Sequence, residues 1–207
     1  MSSSAAPFIY LASQSPRRSL LLDQIGIAHQ ILVADATEDA ESLETAFTNE
    51  APLRYVTRVT ALKLDAAVAR MKLRGLPVAP VLCADTTVAK GRVTYGKPES
   101  ERDAARMLAE LSGSTHRVLT SVAVAYGAQG KKRIQSVSES KVTFATLTKA
   151  QIDRYIATGE SMGKAGSYAV QGGAATFIAK ISGSYSGIMG LPMFETAQLL
   201  GKLGFII

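Results

Sequence analysis

Two adjacent arginines, two separate lysines and a carboxylate beside an apolar run are the residues of this chain that could handle a phosphorylated ligand. Arg17 and Arg18 follow Ser15-Pro16, a hydroxyl that can accept from the first free N–H groups of a helix and then a proline that lacks one. Both arginines therefore fall in a first helical turn, where the macrodipole is already positive and each cation costs a few tenths of a kcal/mol or more. A bound anion would justify them, because a strand, a hydroxyl-rich turn and a helix N-terminus together make a phosphate site. Two side chains reaching into solvent would account for them as well. Asp85 opens the polar stretch Asp85-Thr86-Thr87 at the end of apolar residues 78–84. A carboxylate at the end of a buried strand is a common place for catalysis in α/β folds, since clefts open there; an aspartate can also simply cap a turn. Lys97 returns towards it from a hairpin tip at Lys90-Gly91, so the two could face each other across one ribbon. Lys63 lies on the apolar face of a long helical pattern, where its stem either snorkels to solvent or aims the ammonium into a cleft. Acidic residues 35–41, Glu38 among them, form a solvated turn or a hard-cation site, because Mg²⁺ takes one or two carboxylates plus substrate phosphates.

The elements that must hold these groups follow from periodicity. Residues 8–12 read as a strand, and Leu21, Leu22 and Ile25 recur at helical spacing until Gly26. Residues 29–33 read as a second strand. Residues 53–71 give the longest helix, with Leu53, Val56, Thr60, Leu64, Ala67, Val68 and Met71 on one face. Residues 78–84 then form a central strand buried on both faces. A helix after Pro98 carries Ala104, Met107, Leu108 and Leu111. Residues 117–125 and 136–144 alternate as paired strands, and Thr148 caps a helix with Ile152, Tyr155 and Ile156. Residues 159–173 are dense in Gly, Ser and Lys but have neither Walker nor dinucleotide glycine spacing. Residues 177–181 resume as a strand, and Gly190 and Pro192 introduce a last helix. This alternation predicts one α/β domain over residues 1–207, a mixed twisted sheet flanked by helices, with two lobes sharing a core around a central cleft.

Composition narrows the partners. The 207 residues carry a net charge of +6, with 47% hydrophobic and 19% charged residues, ordinary for a globular protein. No apolar run approaches the ~20 residues of a membrane span. Residues 1–7 lack a basic residue ahead of an apolar core and read as a disordered leader. The single cysteine, Cys83, sits in an apolar run, which predicts a buried thiol and a reducing, cytoplasmic setting. The positive charge calls for an anionic partner. Lys131-Lys132-Arg133 is the only basic triple, and with no Trp the aromatics do not interleave with basic runs, which favours a small phosphorylated molecule over nucleic acid. His29 and His116 give no support for a zinc site or a triad.

Taken as a set, Leu11-Ala12-Ser13-Gln14-Ser15-Pro16-Arg17-Arg18, Ala84-Asp85-Thr86, Gly96-Lys97-Pro98, Leu111-Ser112-Gly113, Lys164-Ala165-Gly166-Ser167-Tyr168-Ala169-Val170-Gln171-Gly172 and Gly190-Leu191-Pro192 closely resemble the Maf family. Its members are nucleoside triphosphate pyrophosphatases once described as septum-formation inhibitors. The likeness keeps its order from Ile9 to Leu200 and is similar to the dTTP/UTP branch; the 7-methyl-GTP branch usually has a tyrosine where Arg17 stands and a glutamate where Gln171 stands. Leu20 departs from a frequent family glutamate. The resemblance implies a Maf/ITPase-like fold and the hydrolysis of dTTP or UTP to monophosphate and pyrophosphate. It implies Asp85 as the proton acceptor for the attacking water, and Arg17, Thr86 and Gln171 as selectors of substrate. Ser13, Lys63 and Lys97 would meet phosphate, and Glu38 with Asp85 would hold Mg²⁺ or Mn²⁺. The Gln171 amide offers both a donor and an acceptor to uracil or thymine; flipped, it could also meet cytosine, so Thr86 or backbone groups must fix its orientation. A modified purine triphosphate such as 7-methyl-GTP, or a division regulator without turnover, are the competing readings. Asp85 together with three cationic positions argues against lost activity. A homodimer is compatible with the resemblance, and no membrane partner is expected.

Overall fold

The computed structural model describes residues 8–35, 38 and 42–207. The leader expected at residues 1–7, and residues 36, 37 and 39–41 of the acidic stretch, lie outside the described residues. In chain order the elements are β1 (Ile9–Leu11), α1 (Pro16–Gln24), β2 (His29–Ile31), α2 (Pro52–Leu73), β3 (Val81–Lys90), β4 (Val93–Tyr95), α3 (Glu101–Leu111), β5 (Thr115–Tyr126), β6 (Lys132–Phe144), α4 (Lys149–Ile156), β7 (Ile178–Ser182), α5 (Tyr185–Met189) and α6 (Met193–Gly201). The strands form one seven-stranded mixed sheet in the order β2-β1-β3-β5-β6-β7, with β4 also paired to β3. β1 is parallel to β2 and β3, and the remaining pairs are antiparallel.

Most boundaries follow local chemistry. Pro16 and Pro52 occupy the first turns of α1 and α2, positions where the missing N–H has no helical partner to lose. Ser100 caps α3 by accepting from the Asp103 N–H. Thr148 and Gln151 close a reciprocal capping box on α4, which satisfies two otherwise free donors. Gly26, with φ at +69°, adopts the left-handed turn that ends α1 and sends the chain back into β2.

β3 departs from the expected strand. It does not begin until Val81, and it runs straight through Asp85-Thr86-Thr87 to Lys90. Asp85 is thus mid-strand, directly opposite Ser121 of β5. Polar side chains are tolerated there because only one edge of β3 is paired along its whole length. β1 reaches Val81 and Leu82 on the other edge, β4 covers Val88 to Lys90, and among the described residues no strand pairs with residues 83–87 between them.

Alternation along β3 builds the core on both faces. Val81 and Cys83 pack with Leu64, Ala67, Val68 and Met71 of α2. Leu82 and Ala84 pack with Leu21, Leu22, Leu199 and Leu200 of α1 and α6. Farther along, Val88 joins Leu108, Phe144, Tyr155, Tyr168 and Phe177. Leu53 departs from the expected helix face: it is exposed, and Pro52 is buried in its place.

His116, 1% exposed, bonds Tyr168 Oη through Nε2 at 2.9 Å and packs edge-on against Phe144. Burial, helped by nearby Lys90, lowers its pKa from 6.5 to about 4. The unfolded chain then takes up a proton that the folded chain refuses. Stability is therefore full above pH 6.5 and is lost as pH falls towards about 4, by on the order of 3 kcal/mol. Unfolding curves across that window should slope more steeply for the wild type than for His116→Gln; parallel curves would remove His116 as their cause.

Candidate active site

The bare edge of β3 opens into a cleft of about 580 Å³, within the range of small-molecule sites. Its walls come from the β1–α1 turn, the middle of α2, Gly96-Lys97 after β4, residues 163–171, and Met189-Gly190 at the end of α5. Ser13, Arg17, Lys63, Asp85, Thr86, Lys97 and Gln171 all line it. Residues distant in sequence and expected in one site are brought together there, with one exception.

The exception is Glu38, which is not among the lining residues. Its carboxylate accepts from Arg70 Nε and Nη2, both at 2.7 Å. Arg70 is itself buried and also donates to the Leu32 carbonyl. A buried guanidinium needs a carboxylate, and the bidentate pair it forms is strong, so Glu38 is engaged by Arg70, which itself lines the cleft. Glu44 takes the expected place instead. Lys63 Nζ lies 2.5 Å from Asp85 Oδ1 and 2.7 Å from Glu44 Oε1. Lys97 Nζ lies 3.0 Å from that same glutamate oxygen, so Lys97 faces Asp85 only through Glu44. Glu44 ends a 3₁₀ turn that α2 anchors. Tyr55 Oη donates to the Glu44 carbonyl, and Arg58 donates to the Thr45 carbonyl while gripping Glu50. Counting back from α2 to these anchors would have singled out Glu44; the acidic block alone could not.

Charge and burial compete at this centre. Burial alone would lower the Lys63 pKa, but Asp85 and Glu44 outweigh it and raise the ammonium above its usual range. Burial would raise Glu44, and Lys63 and Lys97 instead hold it below. Lys63 stays charged and both carboxylates converge on it. Thr87 lies on the Asp85 face of β3, and its buried hydroxyl has no partner among the described residues.

The arginine pair finds an answer inside the protein. Arg17 Nε donates to the Met189 carbonyl at 3.2 Å and Arg18 Nε to the Gly190 carbonyl at 2.7 Å. These carbonyls end α5, where a helix is partially negative, so they offset the unfavourable position of both cations at the start of α1. Arg18 also donates to Ser13 Oγ, which accepts from the Ser15 N–H as well. Ser15 stands at the N-cap, but its side chain makes no capping bond. Burial, and then the adjacent Arg18, lower the Arg17 pKa. Gly190 has φ at +118°, a conformation suited to glycine.

Gln171 is exposed in a turn closed by the Gly172 N–H on the Ala169 carbonyl. Both ends of the turn are pinned. Tyr155 Oη accepts from the Ala169 N–H and donates to Glu160, whose other oxygen accepts from the Gly173 N–H. A β-carbon on Gly172 would collide with the Glu160 carboxylate, so glycine is needed there for space.

The fold and cleft define an α/β protein with an acid–lysine centre set in a cleft lined by Arg17, Arg18 and Lys97. The chain belongs to the Maf family, whose model, described as Maf-like protein, matches residues 8–203. A dTTP/UTP pyrophosphatase of Albidiferax ferrireducens is 63% identical over 198 residues, 96% of this chain and 98% of its own. One from Polaromonas sp. is 59% identical over 203 residues, 98% of this chain and 99% of its own. A nucleoside-triphosphatase (dITP/XTP pyrophosphatase) structure from Mycobacterium abscessus aligns with a TM-score of 0.43 and 13% identity, covering 67% of this chain and 75% of that one.

Removing the shared ammonium tests the acid–lysine centre. Lys63→Met leaves Asp85 without its ammonium partner and Glu44 with Lys97 alone, so one carboxyl's pKa rises in the folded variant. The variant should lose about 1–3 kcal/mol relative to wild type at pH 8, and the deficit should shrink as pH falls and that carboxyl takes a proton. Denaturant unfolding of both proteins at several pH values measures this; a deficit independent of pH would mean that the carboxylates do not share the lysine.

Proposed function

We propose that this protein hydrolyses dTTP and UTP to the nucleoside monophosphate and pyrophosphate. One observation carries the reading: Asp85 lies at the bare edge of β3, bonded to Lys63, in a cleft also lined by Arg17 and Lys97. The names of the relatives, at 54–63% identity, support the substrate class.

In this mechanism Asp85 accepts the proton of a water whose oxygen attacks the α-phosphorus. The bond from that phosphorus to the α–β bridging oxygen breaks, and pyrophosphate leaves with the electron pair. Lys63 holds the Asp85 carboxylate in place through the contact between its ammonium and Oδ1. Arg17 and Lys97 face the charge that develops on the leaving group, the electrostatic term that usually contributes most. Ser13, tied to Arg18 and to the start of α1, shapes the phosphate end. Arg17, Thr86 and Gln171 form the selecting wall.

The donor set suits Mg²⁺ or Mn²⁺. Asp85 and Glu44 are hard oxygen ligands already converging on one cation, the Lys63 ammonium. Among the described residues no cluster of three His, Cys, Asp or Glu side chains could hold a metal alone, which fits an ion completed by substrate phosphates. When bound, such an ion would neutralise phosphate charge as a Lewis acid. No helix of the described residues is long and apolar enough to cross a membrane, and the one cysteine is buried and free; the cytoplasm is the compartment we propose.

Asp85→Asn keeps the shape and removes the base, so kcat for UTP should fall by ~100-fold or more, while a non-hydrolysable UTP analogue binds with far less loss. Near-wild-type pyrophosphate release at saturating UTP would reduce Asp85 to a structural role. Gln171→Glu replaces an amide donor with an acceptor, so the kcat/KM ratio of UTP over GTP should drop at unchanged melting temperature. A ratio that does not move across bases would take Gln171 out of substrate selection.

A further inference from the structure

Thr86 lies on the selecting wall, but a hydroxyl can donate or accept, and its identity alone does not say which it presents to a base. Its neighbour decides. Thr120 of β5 stands directly across from Thr86 in the sheet and is fully buried. The two hydroxyl oxygens are 2.9 Å apart, and Thr120 Oγ1 is 2.7 Å from the Gly187 carbonyl. A carbonyl only accepts, so the single Thr120 proton goes to Gly187. The bond between the threonines must then use the proton of Thr86.

The relay is anchored at its far end. Gly187 donates its N–H to Ser184 Oγ at 2.9 Å, which fixes the backbone that carries the accepting carbonyl. A β-carbon there would press on Ser184 Cβ at 3.1 Å, so glycine leaves room for the cap that holds this carbonyl. Thr86 is only partly buried and lines the cleft, so what remains for a ligand is its lone pairs.

We propose that Thr120 is a positioning residue for substrate selection, holding Thr86 as an obligate acceptor towards the cleft. This rests on the reading that the cleft takes a pyrimidine nucleotide with Thr86 facing N3 of the base. Uracil and thymine present an N3–H donor, whereas cytosine presents a bare N3 acceptor. An acceptor-only hydroxyl matches the first and opposes the second with lone pair against lone pair. It also supplies the discrimination that a rotatable Gln171 amide lacks, because an amide serves either base by flipping.

The experiment compares kcat/KM for UTP and CTP in wild type, Thr120→Ser, Thr120→Val and Thr86→Val, with melting temperatures for each. Thr120→Ser keeps the relay and should hold the UTP:CTP ratio within about threefold of wild type. Thr120→Val frees the Thr86 proton to point into the cleft, so the ratio should fall about tenfold or more, through KM and with CTP improving; Thr120→Ala replaces it if it does not fold. A lowered ratio in Thr86→Val with an unchanged ratio in Thr120→Val and Thr120→Ala overturns the proposal. An unchanged ratio in Thr86→Val shows instead that Thr86 does not read the base, and the reading beneath the proposal fails first.

Discussion

Between Leu82 and Val88, β3 has a strand partner on one side only among the described residues. Most of what this protein does at its cleft depends on that gap. Successive side chains of a strand point to opposite faces, so Asp85 and Thr86 would normally be separated by the thickness of the sheet. At a bare edge both can reach one cavity, Asp85 from the α2 face and Thr86 from the α5 face. The gap exists because β1 arrives parallel and β4 antiparallel, each only three residues long. Unpaired edges are normally a liability in a sheet; here the β1–α1 turn and residues 163–171 cover the opening without filling it.

Charge balance follows the same geometry. The cations of the cleft are not waiting unpaired. Lys63 is held by Asp85 and Glu44, Lys97 by Glu44, and Arg17 by the carbonyl end of α5. Each partner is weaker than a triphosphate as an anion, yet strong enough to fix the side chain before a ligand arrives. Positioning done in advance costs little reorganisation at the moment of reaction, and it explains how a basic cleft stays folded when empty.

The sequence made the scaffold legible where local rules act alone. Pro16 at a helix start, Thr148 as a helix cap, the pairing of β5 with β6 and the burial of Cys83 were each readable from a few neighbouring residues. It was less legible where tertiary pairing decides. β3 continues through three polar residues because β5 pairs with it throughout, which no propensity records. Glu38 lies in the acidic stretch and Glu44 just after it; the demand of buried Arg70 fixes the one and the bond from Tyr55 anchors the other, neither of which the sequence pattern records. For the arginine pair the sequence offered a bound anion or solvent, and the structure supplies partners that neither reading named. Those partners include carbonyls of a five-residue helix, Tyr185–Met189, whose glycine-containing sequence does not announce a helix.

The long strands also bear on how anything enters or leaves. β5 and β6 stay in unbroken register from Thr115 opposite Thr143 to Tyr126 opposite Lys132. β5 gives Val122 and Val124 to the core beneath α1 and α6, and Val118 to the one beneath α3 and α4. The two lobes therefore share one continuous spine. A hinge needs a few residues free to absorb large backbone rotations, and a fully paired hairpin offers none at the point where the lobes meet. Admission of ligand and escape of products fall to the segments draped over the opening, and motions of that kind belong to the nanosecond-to-microsecond range, faster than the swing of whole domains.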